Sequence, residues 1–123
     1  MTWTAMLCVA VGAGVGACAR YLTHHFITTR LHHDFPMATL LVNIIGCLIL
    51  GFVVAVAARQ AISPNVALLL GSGLCGGLTT FSTFSYESLD LTQRKKGGRA
   101  LGYVVLSVAA GLAAAAIGLT LGA

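Results

Sequence analysis

Apolar residues form four long runs along the chain, and charged side chains fall almost entirely between them. A helix needs roughly 20 predominantly apolar residues to cross the hydrocarbon core of a bilayer. The pattern therefore predicts an all-α membrane protein with four transmembrane helices, assembled as one transmembrane domain over residues 1–123. The predicted spans cover residues 3–22, 36–58, 65 onward and 100–122.

The third apolar run, residues 62–92, is too long for one simple span, because each helical residue advances only about 1.5 Å across a core of about 30 Å. We predict that the helix breaks at Gly76-Gly77. A break frees carbonyls at the end of the first half-helix and N–H groups at the start of the second. Membranes tolerate such a break where the backbone is buried or lines an ion site.

The segment GGLTTFSTFSYE, residues 76–87, follows this break and combines hydroxyls with aromatic rings. Phe81 and Phe84 are three residues apart, and the positive edge of an aromatic ring can face an anion. Hydroxyls and the Asn43 amide of the second span are hydrogen-bond donors. Together these groups suit a compact anion. The alternative is helix packing, with hydroxyls bonded to carbonyls one turn earlier and Asn43 joining helices.

Composition supports the membrane assignment, with 58% hydrophobic and 8% charged residues, against roughly 25% charged in soluble domains. We interpret the net charge of +4 as orienting loops toward one side of the membrane. Membrane lipid, and not nucleic acid, is the expected partner. The side holding the first and third loops carries six Lys or Arg residues and the other side only Arg59, which favours one orientation with the first loop cytoplasmic.

The remaining chemistry-bearing residues have simpler interpretations. Gly12 and Gly16 form a small face for close helix packing. The four cysteines lie inside apolar spans and are expected to pack as small hydrophobes. The four histidines are predicted to lie in the first loop, at the membrane interface, without a metal.

The chain resembles the Fluc (CrcB) fluoride channels over essentially its whole length. The resemblance rests on GGLTTFSTFSYE, on TLLVNIIG at residues 39–46 and on GVGACARY in the first span. It implies an antiparallel, dual-topology dimer in the bacterial inner membrane, with two pores at the subunit interface. The implied function is passive, selective export of fluoride, which confers fluoride resistance. Both a homodimer and a heterodimer with an oppositely oriented paralogue are open.

The resemblance also implies roles for individual residues. Phe81 and Phe84 would line the fluoride path by their ring edges, and Asn43 would donate to fluoride beside Thr39. The carbonyls of Gly76 and Thr79 from both subunits would hold a structural Na⁺ at the dimer centre. Glu87 would either form an interface ion pair or hand fluoride along. Further candidates are Arg20 at a vestibule and a polar track drawn from Thr80, Ser82, Thr83, Tyr103 and Ser107.

Two other classes of function fit a four-span protein. A small multidrug exporter needs a membrane-embedded acid in its first span, and residues 1–23 contain neither Asp nor Glu. A non-transporting membrane subunit would tolerate apolar replacements of Asn43, Phe81 and Phe84. We do not expect an enzyme, because no nucleophile–base pair or set of metal ligands stands out.

Overall fold

The structure, a computed structural model, describes residues 2–31 and 35–123, and the regular secondary structure in those ranges is all helical, without strands. Four spans are long and apolar enough to cross a membrane, which confirms the predicted class. The first, second and fourth spans are α1 (Trp3–Arg30), α2 (Met37–Ala58) and α6 (Gly97–Gly122). The third span comprises α3 (Pro64–Ala67), a π-helical segment (Leu68–Cys75), α4 (Gly76–Leu78) and α5 (Phe81–Gln93).

Helix α1 is longer than the sequence predicted. It begins where the Thr2 hydroxyl accepts a hydrogen bond from the Ala5 N–H and continues to Arg30, whereas the expected end was residue 22. No glycine or proline interrupts residues 17–31, and Thr23 donates back to the Ala19 carbonyl at 2.8 Å. His24 and His25 therefore lie on a helix, and their assignment to a loop was wrong. His32 and His33 lie outside the described residues.

Glycines bring the helices into backbone contact at two interfaces. A Cβ on Gly12 would overlap the Leu69 carbonyl, and one on Gly16 would overlap the Leu74 carbonyl. Gly77 meets the Ala13 carbonyl in the same way, so α1 and the third span approach through small residues on both sides. At the second interface, between α2 and α6, Gly51 and Gly118 play the equivalent part.

The break in the third span lies at Thr79 and Thr80, three residues after the predicted position. Both residues are extended, with ψ values of 158° and 123°, whereas Gly76 and Gly77 are helical. Gly77 packs against α1, so the glycine pair serves close packing and not the break.

Candidate functional site

Asn43, on the second span, forms hydrogen bonds with the backbone at the break in the third span. Its Oδ1 accepts from the Thr80 N–H at 2.8 Å, and its Nδ2 donates to the Thr80 carbonyl at 3.1 Å. A broken helix leaves such backbone groups without intrahelical partners, and an unpaired one is costly inside a membrane. The side chain of Asn43 on the second span thus pairs the backbone groups exposed in the third, so two of the three motifs that carry the sequence resemblance meet at one point.

Three of the predicted hydroxyls cluster where α5 begins. The Thr80 hydroxyl accepts from the Thr83 N–H at 3.1 Å, which is the usual arrangement of a helix N-cap. It also donates to Thr83 Oγ1 at 3.1 Å and lies 3.3 Å from Ser82 Oγ. The alternative of back-bonding holds for Thr79 and Ser85, whose hydroxyls donate to carbonyls one turn earlier.

Arg20 binds the backbone at the break and is half-buried. Its guanidinium donates to the Thr79 carbonyl at 3.3 Å. This carbonyl is one of the two groups that the resemblance assigns to Na⁺. The other, on Gly76, has lost its helical donor, because the Thr80 N–H bonds Asn43. Carbonyls at the end of a half-helix suit a cation. The Gly76 carbonyl is therefore open to a cation, whereas the Thr79 carbonyl already accepts from the cationic Arg20.

A groove of about 560 Å³ runs along the surface beside the break. The second, third and fourth spans all contribute to it. Within it, the Phe81 side chain is exposed over 79% of its surface. Ser107 Oγ is buried and has no hydrogen-bond partner among the described residues. The predicted site residues that line the groove are Asn43, Gly76, Thr79, Thr80, Phe81, Phe84 and Ser107.

A smaller cavity of about 140 Å³ lies at the end of the helix bundle where the first and third loops are, and Glu87 lines it. The Tyr103 hydroxyl donates to Glu87 Oε1 at 3.4 Å. The Phe84 ring lies 5.2 Å from the Tyr103 ring and 5.8 Å from Phe81, centroid to centroid. Phe84 and Tyr103 therefore link the groove to this cavity through an unbroken row of rings.

Besides Glu87, the predicted site residues outside the groove fall into two groups, by where they lie. Thr39 and Tyr103 are fully buried between the groove and the cavity. Arg20, Ser82 and Thr83 contact the residues of the break without lining the groove.

Sequence reasoning missed one polar residue of this region. His24 lines the small cavity, and its Nε2 lies 3.0 Å from the Thr39 hydroxyl. His24 follows Arg20 by four residues, so the two share a helix face. That spacing would have indicated the contact had α1 been predicted to extend past residue 22.

The fold and the groove define a small multi-pass membrane protein with a broken third span. The family model described as CrcB-like protein, Camphor Resistance (CrcB), matches residues 7–119, and the chain belongs to this family, as its motifs indicated.

Curated relatives align with nearly all of the chain. A fluoride-specific ion channel FluC 1 from Streptomyces avermitilis is 48% identical over 118 residues, which cover 96% of this chain and 93% of the relative. A fluoride-specific ion channel FluC 2 from Rhodococcus jostii is 47% identical over 116 residues, covering 94% and 96%. A FluC 1 from Bacillus cereus is 41% identical over 115 residues, covering 93% and 80%. These relatives are named as channels and not as enzymes.

Proposed function

We propose that the chain forms a fluoride-selective channel that exports fluoride passively across the bacterial plasma membrane. The observation that carries the proposal is the groove, because it collects aromatic rings and uncharged donors within a family whose relatives are named fluoride-specific channels. Fluoride enters cells as the neutral weak acid HF and dissociates in the less acidic cytoplasm. A channel lets the trapped anion leave down its electrochemical gradient.

Uncharged donors in the groove replace water around the ion. Asn43 Nδ2 has two hydrogens. One bonds the Thr80 carbonyl, and the other is available to an anion in the groove. The Ser107 hydroxyl on the fourth span, which has no partner among the described residues, would be a second donor beside the groove. The ring edges of Phe81 and Phe84 complete a path that is favourable to an anion.

From the groove, the ion passes Phe84 toward the buried Tyr103 and Thr39. Glu87 lies beyond them at the small cavity, with one oxygen accepting from Tyr103. This position supports a role for Glu87 in the transfer of fluoride. The Tyr103 hydroxyl would release the Glu87 carboxylate and donate its hydrogen bond to the fluoride ion instead. At 3.4 Å, the bond is longer than the roughly 2.5–2.7 Å of strong hydroxyl–carboxylate bonds, so the exchange forfeits little.

A second chain closes the groove into a pore. The groove is open on one side of a single chain, and Phe81 stands out from that side. In an antiparallel dimer, each groove faces the other subunit, which gives two pores. The Gly76 and Thr79 carbonyls of both subunits then hold a structural Na⁺ at the centre. That cation would supply positive charge to carbonyls that the break has left without helical donors.

Ion efflux from liposomes that contain only the purified chain tests the proposal. A fluoride electrode should record rapid loss of fluoride, and a chloride electrode should record none above that of protein-free liposomes. Equal loss of both ions would contradict selectivity. Absence of fluoride loss from protein that is folded and dimeric would contradict the function itself.

A further inference from the structure

His24 lies between two oxygen atoms, and both of its ring nitrogens are engaged. Nδ1 is 3.1 Å from the Arg20 carbonyl oxygen, and Nε2 is 3.0 Å from Thr39 Oγ1. A carbonyl oxygen can only accept a hydrogen bond, so Nδ1 carries the proton when the ring is neutral. Nε2 is then the acceptor, and the Thr39 hydroxyl donates to it.

The Thr39 hydroxyl has one proton and two acceptors that compete for it. His24 Nε2 lies on one side, and the phenol of Tyr103, fully buried like Thr39, interacts with the Thr39 side chain on the other. Thr39 is fully buried, so no water can substitute for either. While His24 is neutral, the Thr39 hydroxyl donates its proton to Nε2, and Thr39 presents only lone pairs toward Tyr103. An anion beside Tyr103 would then meet an acceptor in place of a donor.

Protonation of His24 reverses this arrangement. The ring gains one proton from the side of the small cavity that His24 lines, and both nitrogens then donate. The Nε2–H donates to Thr39 Oγ1, and the Thr39 proton turns toward Tyr103 or toward an anion near it. No other bond changes. Among side chains, histidine is the usual pH switch.

The charged groups around His24 come from three helices. Arg20 on α1 is committed to the Thr79 carbonyl. On α5, Glu87, Asp90 and Arg94 line the same cavity as His24. Asp90 and Arg94 pair with each other at 3.1 Å. Tyr103 on α6 donates to Glu87, and Met37–Ala58 contains no charged side chain or histidine.

We infer that His24 is a proton-controlled positioning residue for fluoride permeation, because its protonation releases the Thr39 hydroxyl proton toward the permeating anion. The inference rests on the proposed channel function. It makes conduction fastest in acid, where the influx of HF that the channel counteracts is greatest.

The test is the pH dependence of fluoride efflux from liposomes, with the same pH inside and outside and with protein-free liposomes measuring HF leakage. Wild-type flux should rise about tenfold from pH 8 to pH 5, the effect of one hydrogen bond to a charged group. His24→Gln should give a flat profile, since its amide does not titrate. His25→Gln is the matched control: His25 is exposed, stacks on Tyr21 and should keep the wild-type profile.

Two variants of Thr39 keep the test decisive if His24→Gln misfolds. Thr39→Ser retains the hydroxyl and should retain the pH profile, whereas Thr39→Val should lose it. A flat wild-type profile, or a profile that persists in His24→Gln, would overturn the role of His24 while leaving the channel function intact. Absence of fluoride flux at every pH from folded wild-type protein would instead overturn the channel function.

Discussion

At the scale of single residues, Phe81 is the sharpest test of the ring-edge path. Its side chain is 79% exposed in the single chain, and the ring contact the structure shows for it is with Phe84. Phe81→Ile therefore removes a ring from the groove without opening a hole in the core. We expect fluoride efflux to fall to the level of protein-free liposomes. The free energy of unfolding of the purified protein, measured from its thermal transition, should stay within about 1 kcal/mol of wild type.

Phe52 provides the matched control, because it is also an exposed phenylalanine in a span and does not line the groove. Phe52→Ile should conduct fluoride normally. Normal conduction by Phe81→Ile would show that its ring edge takes no part in permeation. Phe84→Ile is a less clean variant, since Phe84 also packs against the buried Tyr103 and its loss would disturb the core.

At the scale of helices, the packing of α1 depends on glycines that face carbonyls. A methyl group on Gly16 would overlap the Leu74 carbonyl, whereas one on Gly14 would meet no atom within 4 Å. Gly16→Ala should therefore destabilise the folded chain by about 1–3 kcal/mol, a typical effect of overpacking, and Gly14→Ala should not. Thermal unfolding of both variants in detergent, followed by size-exclusion chromatography, measures the difference. Equal transitions would show that α1 can move away from the third span at little cost.

The same glycines show which parts of the fold the sequence could predict. Runs without charge identified four spans, because a bilayer imposes that pattern on any helix. The break was predicted at Gly76-Gly77, but small residues serve close packing as readily as they end helices, and Gly77 packs against α1. At the actual break, Thr79-Thr80, the Thr80 backbone donates one hydrogen bond to Asn43 and accepts another from it. Asn43 is thirty-seven residues away from Thr80, so no local pattern reveals this contact.

For the site, the resemblance named seven of the residues that line the groove but not their geometry. Asn43, Phe81, Phe84 and Ser107 line one groove, as their shared assignment to a fluoride path anticipates. The contact of His24 with Thr39 was missed because it needs α1 to extend beyond its apolar run, where polar residues suggested a loop. In this extension, the hydroxyls of Thr23, Thr28 and Thr29 donate hydrogen bonds to helix carbonyls one turn earlier.

At the scale of the whole molecule, the distribution of charge bears on how two chains can assemble. Arg20 is bound to the Thr79 carbonyl and counts little toward orientation. The side of the first and third loops still holds Arg30, Arg94, Lys95, Lys96 and Arg99. The opposite side holds Arg59, which donates to the Gly122 carbonyl at 2.7 Å near the chain terminus. An antiparallel pair built from this chain alone requires half the copies to insert against this bias.

We therefore expect most copies to place the carboxyl terminus outside the cytoplasm. A carboxyl-terminal alkaline phosphatase fusion, active outside, should give strong activity, and a fusion to green fluorescent protein, which fluoresces inside, should give a weak signal. Replacing Arg30 and Lys95 with Gln should raise the fluorescent fraction, because Lys and Arg near span ends set orientation. Comparable signals from both wild-type fusions would contradict the expected bias and show that one chain inserts in both orientations. Strong bias combined with efficient fluoride efflux would mean that the minority orientation limits the number of channels, and the charge-reduced variant should then conduct more per molecule of protein.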